Sequence, residues 1–313
     1  MKTDAPLVLG TRRSALALWQ ANHVRRALEE AGHAVVLEEI VTTGDRIQDV
    51  PLAKIGDKAL FTKELDRALL DGRIHLAVHS LKDLPTTLPE GIVIAAVGER
   101  EEPWDAFVAH PSFKGNLADV PEGATLATSS LRRQAQIKAW RPDLQIVPVR
   151  GNVDTRLEKL DASDWHGLIL ATAGLVRLDQ EARIRERIAP DVMLPAISQG
   201  ALGIVCAEQD APTRRLLRER LHHPPTSAAV LAERAFLRRL EGGCQVPIGA
   251  WSRLDGENSL LLDGCVASLD GTLLIRDTQR GHAAEPEALG TTLAEALLDQ
   301  GAGEILQAAR RAF

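Results

Sequence analysis

The stretch Leu7-Val8-Leu9-Gly10-Thr11-Arg12-Arg13-Ser14 decides the fold class, because it reads as a short buried strand that turns directly into a helix. Its apolar half predicts the strand, and Ser14 is a residue type that caps helix N-termini. Similar alternations of strands and helices continue to about residue 207. This order is typical of α/β layers built on a largely parallel sheet, so most of the chain is expected to be α/β.

Residues 42–60 break this alternation. The segment has no clean apolar period and contains glycine and proline, which favour turns. Loops of this length inside compact domains are usually lids or binding loops. We therefore expect a long mobile loop that carries Lys54 and Lys58 and ends before Thr62, the expected cap of the next helix.

The last third of the chain has a different pattern. After the Pro224-Pro225 pair, which marks a boundary, Thr226 is expected to cap a long helix that ends near Leu240. Three alternating stretches follow and predict a small antiparallel sheet. One helix from Glu285 to about Ala309 would close this α+β module.

Composition limits the classes of ligand. The chain has 313 residues, enough for two or three domains, and a net charge of −6. Its arginines are nevertheless clustered, and a globally acidic chain with local basic clusters suits a small anionic ligand better than a long polyanion. Aromatic residues, which stack on nucleic-acid bases, make up only 3% of the chain. Nucleic acid is therefore disfavoured.

The cysteines indicate a reducing compartment. Cys206, Cys244 and Cys265 form no CxxC pair, and any disulfide would leave one of them unpaired. The N-terminus lacks the apolar core of a signal peptide, and no apolar run is long enough to span a bilayer. We expect a cytoplasmic protein.

Cys244 lies in the run Gly242-Gly243-Cys244-Gln245-Val246-Pro247-Ile248-Gly249. The glycines allow a sharp turn and leave room beside the sulfur, and the proline discourages the helix from resuming. Local sequence leaves two interpretations open. Cys244 is either a small buried hydrophobe, the commonest fate of a free cysteine, or a reactive thiol on a defined loop.

Arginines recur at four junctions where a strand ends and a helix begins. The junctions are Thr11-Arg12-Arg13-Ser14, Thr128-Ser129-Ser130-Leu131-Arg132-Arg133, Arg150-Gly151-Asn152-Val153-Asp154-Thr155-Arg156 and Ala173-Gly174-Leu175-Val176-Arg177. Helix N-termini bind anions, and their dipole disfavours arginine. One such arginine is better explained by water or by a carboxylate of the protein. Four of them, at strand ends where α/β folds bind ligands, indicate an anionic ligand.

Asp83 is the most suggestive acid in the chain. It lies in His79-Ser80-Leu81-Lys82-Asp83-Leu84-Pro85, where a proline pins the turn that follows a strand. A carboxylate there could stabilise a developing cation or move a proton. The alternative is a structural aspartate that pairs with Lys82 or caps the backbone. His79 is expected to be a scaffold residue, and no residues have metal-ligand spacing, so no metal is predicted.

Together these motifs resemble the porphobilinogen deaminase family, also called hydroxymethylbilane synthases. The matching segments are Thr11-Arg12-Arg13-Ser14, Leu52-Ala53-Lys54-Ile55-Gly56-Asp57-Lys58, His79-Ser80-Leu81-Lys82-Asp83-Leu84-Pro85, Thr128-Ser129-Ser130-Leu131-Arg132-Arg133, Arg150-Gly151-Asn152-Val153 and Glu241-Gly242-Gly243-Cys244-Gln245-Val246-Pro247. They run in the family's order and span most of the chain, which makes them jointly specific.

The resemblance implies two α/β domains arranged like a periplasmic binding protein and a small C-terminal α+β domain. The first would comprise residues 1–98 and 201–218, with the catalytic aspartate and the mobile loop. The second would comprise residues 99–200 and carry the anion-binding arginines. The third, residues 219–313, would carry the cofactor cysteine.

The resemblance also implies that Cys244 holds a dipyrromethane cofactor through a thioether, attached with the thiolate as nucleophile. This primer would receive four porphobilinogen units in turn, each with loss of ammonia, before hydrolysis releases hydroxymethylbilane. Asp83 would contact pyrrole N–H groups, stabilise positive intermediates and assist proton transfer.

Each pyrrole ring carries an acetate and a propionate, which arginine forks hold with paired hydrogen bonds. By motif position, the residues implied to hold them are Arg12, Ser14, Ser80, Lys82, Thr128, Ser129, Arg132, Arg133, Arg150, Arg156, Arg177 and Gln199. Lys54, Lys58 and Phe61 would belong to the mobile loop. Arg13, at a variable position, is assigned no role.

A non-enzymatic, two-lobed binding protein for a polycarboxylate ligand is the alternative function. It would explain the arginines but neither Cys244 in its glycine loop nor Asp83. Nucleic acid and membrane partners are not expected. The family suggests a monomer, and its product would pass to uroporphyrinogen-III synthase.

Overall fold

The protein is described from a computed structural model, and the structure describes residues 5–46, 62–240 and 246–312. The strands are β1 Leu7–Thr11, β2 Val35–Glu39, β3 Leu76–Ser80, β4 Ile92–Val97, β5 Asp105–Ala109, β6 Thr125–Ala127, β7 Gln145–Val147, β8 Gly167–Ala171, β9 Glu186–Arg187, β10 Leu202–Ala207, β11 Ile248–Leu254, β12 Ser259–Ala267 and β13 Leu274–His282. The α-helices are α1 Ala15–Glu30, α2 Thr43–Arg46, α3 Lys63–Leu70, α4 Leu131–Trp140, α5 Val153–Asp161, α6 Thr172–Arg177, α7 Ala211–Leu221, α8 Pro224–Arg239, α9 Pro286–Asp299 and α10 Ala302–Arg311. Within the described ranges, no helix combines the length and the apolar character needed to cross a lipid bilayer.

The chain divides into two compact units, Met1–Arg100 with Ala201–Ser227 and Glu101–Gly200 with Ala228–Phe313. Each unit holds one five-stranded sheet, and the second unit also holds a three-stranded sheet. Mixed sheets with intervening helices confirm the α/β class, with a small α+β part near the C-terminus. The division into three domains stays a prediction.

The sheet of the first unit has the strand order β2-β1-β3-β10-β4. β1 pairs in parallel with β2 and β3, whereas β10 runs antiparallel to β3 and β4. Leu9 of β1, Leu76 of β3 and Leu28 of α1 are fully buried in one core. Because β10 runs in the opposite direction, its first residue, Leu202, pairs with Ser80, the last residue of β3. The beginning of β10 therefore lies at the sheet edge where the parallel strands end.

The five-stranded sheet of the second unit repeats this arrangement with the order β7-β6-β8-β5-β9. β6 is parallel to β7 and β8, and β5 is antiparallel to β8 and β9. Asp105, the first residue of β5, consequently pairs with Ala171, the last residue of β8. An acidic side chain that opens β5 is thus brought to the edge where β6 and β8 lead into helices.

The C-terminal strands β11, β12 and β13 form an antiparallel meander. Phe236 of α8 and Leu293 of α9 pack against it and are fully buried. Gly264 of β12 makes this possible, because a Cβ atom there would lie 2.7 Å from Cζ of Phe236. The sheet expected from the alternating stretches is confirmed.

Four local expectations are wrong. The segment expected to be a loop from residue 42 onward begins with a short helix, α2 Thr43–Arg46. The C-terminal helix is interrupted at Gly301, whose φ of +98° separates α9 from α10. The helix after the proline pair begins at Pro224 rather than after Thr226, since proline is tolerated in the first helical turn, where no intrahelical N–H donor is needed. Thr62 occupies the N-cap position of α3, but its side chain makes no capping hydrogen bond.

Gly200 is held in a conformation that only glycine adopts readily. Its φ is +89°, and a Cβ atom would lie 2.2 Å from the carbonyl oxygen of Glu101. The amide of Glu101 in turn donates to the Gly200 carbonyl at 3.2 Å. The two segments that meet here therefore require a residue without a side chain.

Gly200→Ala is expected to lower the free energy of unfolding by about 2–4 kcal/mol, through backbone strain and collision with Glu101. Gly256→Ala is the matched control, because Gly256 has a φ of +93° and no described atom lies within 4 Å of the place that a Cβ atom would take. It should cost only about 1 kcal/mol. Urea unfolding measures both values, and equal losses would contradict the role assigned to the contact.

Candidate active site

Asp83 lies in a turn that buried leucines hold against the first sheet. β3 ends at Ser80, and a 3₁₀ turn, Leu81–Asp83, follows at once. Leu81 and Leu84 are buried on either side of Asp83, and the Leu81 amide donates to the Ala201 carbonyl at 2.9 Å. The turn is therefore anchored at both ends.

The Asp83 side chain itself is exposed. Among the residues that the structure describes, none forms a hydrogen bond or ion pair with its carboxylate. In the described structure, Asp83 therefore neither caps the backbone nor pairs with Lys82. A fixed backbone thus presents a carboxylate with free acceptor capacity.

His79 lies four residues before Asp83 and is 6% exposed. Burial lowers the pKa of His79 to about 4, and the positive charge of Arg12 adds to that effect. Its Nε2 atom has no hydrogen-bond partner among the described residues. His79 is a neutral, packed side chain near pH 7, in agreement with the scaffold role expected for it.

This histidine should make stability depend on pH. Its pKa of about 4 in the folded protein lies below the ordinary value of 6.5, so unfolding takes up a proton between the two. The stability that neutral His79 contributes is therefore complete above pH 6.5 and is lost as the pH falls towards 4. Over that range the wild type should lose about 3 kcal/mol more than His79→Leu. Denaturant titrations at several pH values measure this difference, with the exposed His282→Gln as control; parallel curves for wild type and His79→Leu would contradict it.

The other predicted residues of the first unit have mixed roles. Ser14 caps α1, as expected, and its hydroxyl accepts from the Ala17 amide at 3.4 Å. The Ser80 hydroxyl accepts from Nε2 of the buried Gln20 at 2.8 Å. Arg12 and Lys82 are both partly buried near this strand end. Arg13 pairs with Glu39 at 3.2 Å on the surface, where such pairs contribute little.

In the second unit, four side chains form one buried group, the Asp105 cluster, consisting of Asp105, Arg132, Arg133 and Gln199. Arg132 Nη1 donates to Oδ2 of Asp105 at 2.6 Å. Arg133 donates to Oδ1 through Nε at 3.0 Å and Nη2 at 2.7 Å. Gln199 Nε2 also donates to Oδ1, at 3.0 Å, and all four residues are at most 6% exposed.

Burial alone would raise the pKa of Asp105. The charges of Arg132 and Arg133, with hydrogen bonds from Arg132 and Gln199, outweigh that effect and hold the pKa well below its usual range. Asp105 is therefore a charged carboxylate in the fully folded protein. The arginines that open α4, which oppose the helix dipole, are explained in part by this buried acid.

The remaining polar residues near α4 and α5 bind mainly to the backbone. The Ser129 hydroxyl donates to the Val149 carbonyl at 2.8 Å and accepts from the Val149 amide at 2.9 Å. The Thr128 hydroxyl accepts from the Ser130 amide at 3.2 Å. Arg156 Nε donates to the Gly151 carbonyl at 2.8 Å, and Arg150 lies half-buried one residue earlier.

Arg177 corrects one expectation. It ends α6 rather than opening a helix, because β8 stops at Ala171 and α6 spans only Thr172–Arg177. Its side chain is buried, and Nη2 donates to the Gly200 carbonyl at 2.6 Å. Arg177 thus reaches the segment next to Gln199, and the structure brings three of the predicted arginines to residues 103–105 and 198–200.

Asp105 and Gln20 are the residues that sequence reasoning missed. Asp105 begins an otherwise apolar run, and Gln20 interrupts the buried face of α1. A polar residue inside an apolar pattern was the available signal for both. Neither lies in one of the quoted motifs.

Cys244 and the loop residues Lys54, Lys58 and Phe61 lie outside the described residues. Within the described ranges, no group of three or more His, Cys, Asp or Glu side chains is placed to hold a metal ion. Cys206 and Cys265 are buried free thiols.

Two family models match this chain. The model described as porphobilinogen deaminase, dipyromethane cofactor binding domain, matches residues 7–215, and the C-terminal domain model matches residues 227–299. Over 309 residues the chain is 55% identical to the porphobilinogen deaminase of Desulforudis audaxviator, with 97% of this chain and 98% of that protein covered. The chain belongs to the porphobilinogen deaminase family. This confirms the resemblance carried by the motifs.

A second porphobilinogen deaminase, that of Carboxydothermus hydrogenoformans, is 51% identical over 308 residues, with 97% of each chain covered. Among solved structures, the chain is similar to a periplasmic substrate-binding protein of an ABC transporter from Coxiella burnetii. That likeness has a TM-score of 0.43 and 14% identity, and covers 72% of this chain and 94% of that one.

The residues present suit the dipyrromethane of this family. Nε of Arg132 is buried and has no hydrogen-bond partner among the described residues. A carboxylate side chain of the dipyrromethane matches this buried donor.

Proposed function

We propose that this protein polymerises porphobilinogen into hydroxymethylbilane, adding four units with loss of ammonia to a dipyrromethane primer held on Cys244. The observation that carries the proposal is Asp83, an exposed carboxylate without a described partner, on a turn that buried leucines fix. When bound, the dipyrromethane supplies the free α-carbon to which each unit is added. The residues of the chain bind and orient the porphobilinogen units and move protons.

Asp83 has the properties that the acid–base role requires. Its carboxylate accepts hydrogen bonds, so it can hold pyrrole N–H groups and stabilise positive charge that develops next to them. The anchored turn fixes the backbone that carries this carboxylate, which limits the reorganisation needed for such stabilisation. Deprotonation of a pyrrole carbon needs a nearby base, and a carboxylate oxygen of Asp83 is the acceptor that we assign.

The arginines suit the substrate's side chains. Every added ring brings an acetate and a propionate, and guanidinium groups form paired, charge-assisted hydrogen bonds with carboxylates. We assign this role to Arg12, Arg132, Arg133, Arg150, Arg156 and Arg177, with Lys82 and Gln199. Ser14, Ser80, Thr128 and Ser129 support the turns in which these residues lie, through the backbone and side-chain bonds that their hydroxyls make.

Cys244 is assigned as the attachment point partly because the other cysteines are unsuited. Burial raises the pKa of the Cys206 and Cys265 thiols to about 11. The thiolate is the nucleophile in thioether formation, so these two side chains are inert near pH 7. Lys54, Lys58 and Phe61 are assigned to a loop that covers the reacting groups.

A two-lobed binding protein for polycarboxylates remains the second candidate, because arginine clusters alone would serve it. Such a protein would bind porphobilinogen reversibly and release no ammonia. Incubation of the purified holoenzyme with porphobilinogen distinguishes the two. Our proposal expects one ammonia for each unit consumed and hydroxymethylbilane as product; binding without ammonia release would refute it.

We further propose that the protein works as a cytoplasmic monomer and that uroporphyrinogen-III synthase consumes its product. Free buried thiols at Cys206 and Cys265 support a reducing compartment. Light scattering after size-exclusion chromatography tests the oligomeric state. A mass near 33.9 kDa is expected, and twice that value would contradict the monomer.

A further inference from the structure

The Asp105 cluster carries an inference beyond the binding role of its arginines. Asp105 is fully buried, and its two oxygens are divided between two guanidinium groups. One negatively charged carboxylate is therefore paired with two positively charged guanidinium groups. Because Gln199 is neutral, the cluster keeps one net positive charge in a buried place.

Each guanidinium is also fixed by a main-chain carbonyl. Arg132 Nη1 donates to the Leu194 carbonyl at 2.8 Å, and Arg133 Nη1 donates to the Ile169 carbonyl at 2.8 Å. Leu194 is held in turn, since its amide donates to Oε1 of Gln136 at 2.8 Å. The guanidinium groups of Arg132 and Arg133 are thus each oriented by both a carboxylate and a main-chain carbonyl, as expected for a preorganised anion site.

Arg132 and Arg133 differ in how many donors these contacts use. Arg133 bonds through Nε, Nη1 and Nη2. The guanidinium bonds that Arg132 makes to described residues all use Nη1, and Nε is buried without a described partner. The unused donors of Arg132 therefore lie in the cluster that carries the surplus positive charge. Both are features that a ligand carboxylate would complete.

We propose that Asp105 is a positioning residue that sets the charge balance of this cluster, holding Arg132 and Arg133 in place and leaving one net positive charge for a substrate carboxylate. This inference rests on the proposed function, because the ligand is a carboxylate of the growing pyrrole chain. Without the charge of Asp105, the two guanidinium groups give the cluster two net positive charges. Without the charge of Arg133, the cluster is neutral and has no net positive charge for the ligand. Removing both restores a single positive charge on Arg132.

A cycle of three variants tests this charge balance in the holoenzyme. Asp105→Asn should lower Tm strongly, because buried like charges then face each other without an acid. Arg133→Gln should raise KM for porphobilinogen about tenfold or more with kcat within about threefold, because the cluster becomes neutral. Asp105→Asn/Arg133→Gln should recover partly on both counts, with Tm above that of Asp105→Asn and KM below that of Arg133→Gln.

The matched control is Asp263→Asn, which breaks an Asp–Arg pair between Asp263 and Arg253 in the C-terminal sheet. It should lower Tm and leave KM unchanged. A purely structural Asp105 would make the double variant worse than either single variant, and that result, or failure of the double variant to fold, overturns the proposal. If wild type shows no turnover, the proposed function fails, and the recovery of Tm in the double variant still tests the charge balance.

Discussion

Asp83→Ala is expected to lower kcat by about a thousandfold while the protein remains folded, because an acid–base and electrostatic group of this kind contributes on that scale. The side chain is exposed and has no bonding partner among the described residues, so its removal takes away no structural contact. Tm should therefore stay close to that of wild type. Single-turnover kinetics with porphobilinogen separate the chemical step from binding.

Glu90→Ala is the control for this prediction. Glu90 is another exposed acid of the first unit, in the turn that precedes β4. Its removal should leave kcat within about twofold, as expected for a solvated surface carboxylate. If Asp83→Ala also retained nearly full kcat, the acid–base role would belong to another residue.

Cys244→Ala is expected to abolish turnover and the covalent cofactor together. The thiolate is the group that forms the thioether, and alanine offers no replacement. Neither remaining cysteine can substitute, because burial raises the pKa of both thiols to about 11. Ammonia release and intact mass, measured on the same preparation, test both parts.

Cys206→Ala serves as its counterpart. Cys206 is fully buried in the core of the first unit's sheet. Its replacement by alanine should lower the free energy of unfolding by about 1 kcal/mol without affecting the cofactor. Normal turnover by Cys244→Ala would contradict the assignment of the attachment residue.

The sequence predicted the α/β class and the strand ends that carry the site because those signals are local. Short apolar runs such as Leu7–Thr11 and Leu76–Ser80 are recognisable without knowledge of their neighbours. The positions of Ser14 and Asp83, which follow these strands closely, can be read from the same short segments. The family motifs therefore contained most of the first unit's candidate site.

The Asp105 cluster could not be found in this way. Asp105 and Arg132 lie 27 residues apart, and they meet because β5 runs antiparallel to β8. Strand direction depends on tertiary pairing, which no local period reveals. The sequence consequently presented Arg132 and Arg133 as equivalent ligand-binding residues, whereas the structure shows that they share one buried acid.

Some predictions from residue type failed to account for the conformation and hydrogen bonds of the backbone. The hydroxyls of Thr128 and Ser129 are ligand candidates by motif, yet both bond to main-chain atoms of the turns around them. Gly301 interrupts the C-terminal helix with a positive φ, although an isolated glycine inside a helical pattern is often tolerated. These outcomes depend on neighbouring segments rather than on residue type.

The covalent attachment of the cofactor to Cys244 is tested most directly by the intact mass of catalytically active protein under denaturing conditions. The expected mass exceeds the 33.9 kDa of the sequence by one dipyrromethane, and peptide mapping should place the excess on the peptide that contains Cys244. Active protein with the mass of the sequence alone, or an excess on another peptide, would contradict it.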